Sequence, residues 1–277
     1  MPLLTTVNLI GPSAEPGTDR ELALPMTLGL ARRAWVTGAS RGLGLAIALA
    51  LAEAGADLAI TARSREALEP ARLAIEARGR RCLVVPAHVE DEDQVNAVID
   101  DIASAWGGLD ILVTAAGISP TFRPMLDQDS KHWRRTLSVN LDGTYNCLRA
   151  AATTSIRAGT PLSIVVLSSV HARRAAENLA AYGASKAAVE SLVRTASREW
   201  APHAIRINAL APGYVTTDMT ASLLSSPERS SSLLERVATG RFAEPREVAT
   251  AALYLLSADA GYVTGTTLTI DGGWLTQ

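Results

Sequence analysis

The stretch "TGASRGLG", residues 37–44, follows the apolar run "RRAWV" and leads into "LGLAIALALAEAG", which Gly55 closes. An apolar run, a turn and a helical pattern in that order read as strand, turn and helix. Gly38, Gly42 and Gly44 carry the spacing Gly-x3-Gly-x-Gly through the turn. A side chain at these places would block the tight turn, the backbone's approach to a pyrophosphate, or the packing of helix on sheet. The helix start offers unpaired N–H groups and the positive end of its dipole to phosphates. Glycine spacing and strand-turn-helix context together point to a dinucleotide site.

The same alternation continues outward from this turn. "DLAITA" precedes the charged helical run "SREALEPARLAIEARG", and "RCLVV" leads to "DEDQVNAVIDDIASAWGG". "LDILVTAAG" leads into one long helical stretch around residues 127–158, and "LSIVVLSS" precedes the helix opened by "AAYGASK". "IRINALAPG", the helix "PREVATAALYLLSAD" and the strand "GTTLTIDGG" complete the series. Buried strands alternating with helices predict a single α/β domain over residues 30–277, a Rossmann-type doubly wound parallel sheet with helices on both faces. Pro70 and Pro161 are expected near element boundaries or at local distortions. Residues 1–29, rich in Pro, Gly and Thr, lack the basic start and continuous apolar core of a signal peptide and read as an extension preceding the fold.

Composition narrows the function classes. The chain is 48% hydrophobic and 19% charged with a formal net charge of -2, which suits a large core and gives no nucleic-acid footprint. Aromatics at 4% are too scarce for a base-stacking platform. Cys82 and Cys147 sit in apolar runs and read as buried small hydrophobes, with neither a disulfide framework nor metal-ligand spacing. A reducing, cytoplasmic setting is the simplest inference. No uncharged apolar run reaches the ~18 residues of a membrane span.

The second strand decides between two cofactors. An acidic residue at its tip would hold the ribose 2′-OH of NAD, and a basic one suits the 2′-phosphate of NADP. "DLAITARSRE" ends in Ala62-Arg63-Ser64, and its one carboxylate, Asp57, lies at the opposite end. Arg41 in the glycine turn reaches the same phosphate, and a guanidinium matches phosphate geometry bidentately. The expected cofactor is NADP(H), with NAD(H) the alternative.

A second motif lies at "AYGASKAAVESL", residues 181–192. Of the 26 lysines and arginines, only Lys131 and Lys186 are lysine, and Lys186 stands one helical turn from Tyr182. A free tyrosine has a pKa of about 10, too high for efficient proton exchange near neutrality. A nearby cation lowers that value by ~1–3 units. Ser169 ends the strand "SIVVLSS", at the sheet edge where a parallel sheet binds its ligand, and its hydroxyl can take a substrate oxygen. Asn140, in "TLSVNLDGTYN", is polar within an otherwise helical stretch, where asparagine disturbs the backbone and can hold a water. A helix cap for Ser169 and a satisfied buried amide for Asn140 are the competing structural readings.

With this combination the chain resembles the short-chain dehydrogenase/reductase family over essentially residues 30–277. The family's glycine motif falls on Gly38, Gly42 and Gly44, its Tyr-x3-Lys on Tyr182 and Lys186, its upstream serine on Ser169 and its tetrad asparagine on Asn140. "NALAPGYVTTDM" resembles the family's Pro-Gly segment and "TGTTLTIDGGW" its C-terminal signature. The resemblance implies a catalytic set of Asn140, Ser169, Tyr182 and Lys186. It implies cofactor contacts at Gly38, Ser40, Arg41, Leu43, Gly44, Arg63, Ser64, His88, Val89, Ala115, Gly117, Tyr182 and Lys186. The Val215 backbone and the Thr217 hydroxyl would hold the carboxamide. It also implies hydride transfer on a small-molecule carbonyl or alcohol, and a homo-oligomer, dimer or tetramer.

Two departures stand out. Thr114-Ala115-Ala116-Gly117 replaces the family's Asn-Asn-Ala-Gly, removing side-chain amides that support the sheet and cofactor loop. His88 replaces an acidic residue that meets the adenine amine, so altered adenine contacts are expected. Residues 118–125, 171–179 and 220–245 are expected to choose the substrate, with the serine- and leucine-rich 220s as a lid. His171 reads as a surface-loop histidine, with substrate contact as the other reading. The pattern is similar to 3-oxoacyl-acyl-carrier-protein reductases and to sugar or polyol dehydrogenases. The first would need a basic patch, for which Arg123, Arg173 and Arg174 are the candidates. A nucleotide-binding regulatory protein on the same fold is the rival from another class.

Overall fold

The computed structural model describes residues 32–119, 122–220 and 227–276. The proposed extension at 1–29, the domain's expected first residues and part of the 220s segment lie outside them. The strands are β1 (Arg33–Thr37), β2 (Asp57–Thr61), β3 (Cys82–Val84), β4 (Ile111–Thr114), β5 (Leu162–Leu167), β6 (Ile205–Pro212) and β7 (Thr267–Ile270). They form one sheet in the order β3-β2-β1-β4-β5-β6-β7, and every pairing is parallel. The doubly wound α/β architecture expected from the alternation is present.

The helices are α1 (Gly42–Glu53), α2 (Arg65–Glu76), α3 (Glu92–Trp106), α4 (Ser130–Leu137), α5 (Gly143–Ala158), α6 (Ala180–Trp200), α7 (Pro227–Leu234) and α8 (Pro245–Leu256). Strand alternation feeds two cores. Val36, Ile60, Val113 and Leu167 face one side with Ile47, Leu51, Ile75 and Leu255 of α1, α2 and α8. Trp35, Ala59, Leu112 and Val166 face the other with Ile99, Ile102, Leu148 and Val193 of α3, α5 and α6. Side chains on a strand point alternately to opposite faces, so apolar residues at successive positions serve both layers.

Local chemistry sets the helix boundaries. Asp91 accepts from Gln94 N at 3.1 Å to open α3, Asp129 accepts from His132 N at 2.8 Å to open α4, and left-handed Gly107 and Gly159 close α3 and α5. Pro161 lies in the α5–β5 connection as expected, whereas Pro70 sits inside α2 without ending it. The single helix expected over 127–158 is divided: a π-helical turn, Ser138–Asp142, separates α4 from α5. Strand order reverses at β1, flanked by β2 and β4. The connections leaving β1 and β4 run to opposite faces, which opens the crevice where open α/β sheets bind ligands.

Candidate active site

The glycine turn is packed against the end of β4. Gly38 has φ +67, and a Cβ there would fall 2.7 Å from Ala116 N. A Cβ on Gly44 would fall 2.2 Å from the Gly38 carbonyl oxygen. Neither contact is physically tolerable, so the two glycines are what let the β1 turn, the β4 loop and α1 converge. Thr37 ties the same junction: its Oγ1 accepts from Ala115 N at 3.1 Å and from Ala116 N at 3.2 Å. The hydroxyl of β1 thus supports the loop where the family's asparagine amides are absent, while the buried Thr114 Oγ1 has no hydrogen-bond partner among the described residues.

A cleft of about 550 Å³ runs across this junction. Gly38, Ser40, Arg41, Leu43, Gly44 and Arg63 line it at the glycine turn and the β2 tip, with Thr217 beside Gly42, and Val89, Ala115, Gly117, Tyr182 and Lys186 complete the expected lining. Arg41 and Arg63 are exposed, and among the described residues neither guanidinium is engaged by another side chain. Asp57 lies at the far end of β2, paired with Arg80 at 2.8 Å and Arg81 at 2.7 Å. Three residues of the expected cofactor set, Ser64, His88 and Val215, are not in the cleft lining. Ser64 caps α2, accepting from Ala67 N at 3.3 Å. His88 is exposed outside the cleft lining, with Nδ1 3.5 Å from Glu90, and Glu90 itself lines the cleft. Val215 is buried, and its carbonyl accepts from Thr220 Oγ1 at 2.5 Å; the Thr217 and Thr220 hydroxyls lie 3.2 Å apart.

Strand β5 and helix α6 bring three expected residues together. Ser169 follows β5 in extended conformation; its Oγ accepts from His171 N at 3.2 Å, the cap anticipated for it, and it lies close enough to the Tyr182 phenol in the first turn of α6 to lower its pKa. Lys186 Nζ sits 5.7 Å from the Tyr182 ring centroid and donates to the Leu167 carbonyl at 2.7 Å. Burial pushes the lysine down to about 8. Burial likewise pushes the Tyr182 phenol above its ordinary value, and the hydrogen bond with Ser169 offsets only part of that. The expectation of a lysine-lowered phenol is therefore corrected: desolvation by burial is the larger effect.

Asn140 occupies the π-helical turn and is fully buried. Its Oδ1 accepts from Ile118 N at 2.8 Å, and its Nδ2 donates to the Ile118 carbonyl and to Ser185 Oγ, both at 3.0 Å. Both amide hydrogens are spent, and the side chain fastens the β4 loop to α6, with one lone pair of Oδ1 still open. The backbone disturbance expected of this asparagine is present, in the form of the π-turn.

His171 is not a surface-loop residue. It is half-buried, with its ring edge-on to Tyr182 at 6.5 Å, Tyr214 at 5.8 Å and Trp274 at 5.6 Å. Arg173 pairs with the buried Glu190 at 3.2 Å, and Arg174 lies over Trp274 at 4.8 Å, so two of the three arginines considered for a basic patch serve packing. Thr37, Glu90, Ser168, Arg135 and Glu190 lie in or behind the cleft without having been singled out in the sequence. Glu90, two residues past His88, is the one whose position could have drawn notice.

The family model described as Enoyl-(Acyl carrier protein) reductase matches residues 38–275. The 3-oxoacyl-acyl-carrier-protein reductase of Staphylococcus aureus is 36% identical over 88% of this chain and 98% of its own. A cis-4-hydroxycyclohexanecarboxylate dehydrogenase of Sinomonas cyclohexanicum is 39% identical over 88% of this chain and 96% of its own. Among solved structures, a gluconate 5-dehydrogenase from Burkholderia cenocepacia in complex with NADP and tartrate superposes with a TM-score of 0.87 at 34% identity, covering 91% of this chain and 99% of that one. With its parallel sheet, its glycine turn and these matches along nearly its whole length, the chain is an oxidoreductase acting on alcohol or carbonyl groups and belongs to the short-chain dehydrogenase/reductase family.

Proposed function

We propose that the protein uses NADP(H) to interconvert a small carbonyl compound and its secondary alcohol, with Tyr182 as the acid and base. The observation that carries this reading is the arrangement along one cleft. Tyr182 and Lys186 line it, with Ser169 next to Tyr182, and Arg41 and Arg63 line it beside the glycine turn and a β2 tip that carries no carboxylate of its own. Guanidinium groups there suit a 2′-phosphate, and the NADP-bound Burkholderia relative supports the same choice. The glycine turn fits a pyrophosphate, since its backbone has no side chain in the way.

The bound nicotinamide supplies hydride chemistry at the carbon bearing the oxygen. Ser169 holds that oxygen by its hydroxyl, and Tyr182 hands it a proton in reduction or takes one in oxidation. Burial holds the Tyr182 phenol protonated, so the charge of a nearby cation is what would bring it toward the range useful for proton exchange. Lys186 holds its ammonium beside the phenol ring and its Leu167 anchor. Because Arg173 and Arg174 are engaged in packing, a free small molecule fits better than an acyl-carrier protein. Dehydrogenation of a sugar acid or polyol is the second reading, favoured by the gluconate 5-dehydrogenase likeness.

A panel of ketones, ketoesters, sugar acids and acyl thioesters, assayed by NADPH and NADH oxidation and by the reverse reduction, tests this. The expected outcome is faster turnover with NADPH than with NADH. Tyr182→Phe should bind NADPH as the parent does and lose turnover by about 100-fold or more. Wild-type-like turnover in that variant, or equal use of the two cofactors, would contradict the respective assignment.

A further inference from the structure

Behind the proposed reacting pair lies a carboxylate that the mechanism above does not use. Glu190 is on α6, one turn past Lys186 and two past Tyr182, and it is 4% exposed. A carboxylate so placed is costly unless its oxygens are taken up. Here they are divided between two residues. Oε1 accepts from Ser168 Oγ at 2.9 Å, and Oε2 accepts from Arg173 Nε at 3.2 Å. Ser168 Oγ also lies 3.3 Å from the Lys186 carbonyl oxygen, and Arg173 reaches Thr269 Oγ1 of β7 at 3.4 Å.

Ser168 and Arg173 flank one short segment: Ser169 and the 3-10 turn Val170–Ala172. The segment leaves the sheet after Ser168, whose N–H still donates to the Leu210 carbonyl at 2.7 Å, and Ser169 Oγ accepts from His171 N at 3.2 Å, so the hydroxyl moves with the turn it caps. Tyr182, its hydrogen-bond partner, belongs to α6. We infer that Glu190 is a positioning residue: by gripping Ser168 and Arg173 from α6, it sets the Ser169 hydroxyl against the Tyr182 phenol. The inference rests on the reading of Ser169 and Tyr182 as the pair that handles the substrate oxygen. Reacting groups tolerate little misplacement, about 1 Å being enough to lose ~100-fold in rate, so a two-armed grip on either side of the serine has a clear use.

The test does not depend on knowing the substrate. The ligand-free full chain is labelled with [13Cζ]tyrosine and observed by NMR at pH 7. Its five tyrosines give few signals, and Tyr182 is the one lost in Tyr182→Phe. Ser169→Ala should displace the Tyr182 resonance. Glu190→Gln should displace it in the same direction, and the Glu190→Gln and Ser169→Ala double variant should match Ser169→Ala alone. Ser168→Ala cuts one arm while leaving the Arg173 ion pair, and gives the same displacement should Glu190→Gln fail to fold. With the best substrate of the panel, kcat should fall about 10-fold in Glu190→Gln while the NADPH Kd is unchanged. A folded Glu190→Gln or Ser168→Ala protein with the resonance at its parent position overturns the inference. So does a displacement that adds to that of Ser169→Ala, or no displacement in Ser169→Ala itself. Turnover retained by Tyr182→Phe would instead sink the underlying mechanism, so the two failures are told apart.

Discussion

Lys186 holds a positive charge where water does not reach, and its protonation behaviour follows from that. Its folded value is near 8, against about 10.4 in an unfolded chain. Between those values the unfolded state binds more protons, so stability rises with pH across this window. Below about pH 8 the full penalty is present, roughly 3 kcal/mol. Tyr182 acts with the opposite sign: its value is raised, so its contribution is fully present below its unfolded value of about 10 and is lost as pH rises from there through the folded value. Lys186→Met should therefore melt at a higher temperature than the parent at pH 7, lose the stability gain toward pH 10, and lose turnover. Thermal melts across that range check it, and a lower melting temperature at pH 7 would contradict it. At this scale the pairing of Tyr182 with Lys186 was legible in the sequence, because residues four apart share a helix face. The direction of the phenol's shift was not, because desolvation depends on what the rest of the chain packs around it.

At the scale of elements, the junction of β1, β4 and α1 depends on one hydroxyl. Thr37 Oγ1 accepts two backbone amides of the β4 loop. Thr37→Val keeps the shape and leaves both amides without their acceptor, at a cost of about 1–3 kcal/mol. Urea unfolding should show that loss, NADPH binding should weaken, and Thr37→Ser should recover most of both. Stability in Thr37→Val equal to the parent's would show that the loop is held otherwise. The absence of asparagine amides at Thr114-Ala115 was visible in the sequence; the hydroxyl on a different strand that takes over was not, since it lies 78 residues away along the chain. The same holds for the helix expected over 127–158. Asn140 announced a disturbance, but the π-turn takes its shape from the side-chain bonds to Ile118 and Ser185.

Across the whole molecule, the end of the sheet opposite the cleft is stitched by ion pairs. Asp110 meets Arg33 at 2.8 Å across β4 and β1, and Asp57 meets Arg80 and Arg81 across β2 and β3. Burial raises both carboxyls, but hydrogen bonds and charge from these arginines leave both below the usual carboxylate range. Such groups contribute stability above their unfolded values, near 3.9, and lose it as pH falls through the lower folded values. Asp57→Asn should lose about 1–3 kcal/mol at pH 7, and the gap to the parent should close as pH drops below about 4. Denaturant titrations at pH 7 and in acid check this; a gap that persists unchanged in acid would argue for packing instead of charge.

The sequence by itself determined the layer order of this protein, its glycine turn and the spacing of Tyr182 and Lys186. These follow from local periodicity and from contacts a few residues apart. It also located Ser169 at a strand end and Asn140 as a polar residue within a helical stretch. Only the tertiary structure decided that His171 lies among aromatic rings, that Arg173 belongs to Glu190, and that burial raises the phenol of Tyr182. Each of these depends on which distant segments exclude water from a side chain or offer it a partner, and that is a property of the assembled sheet and helices.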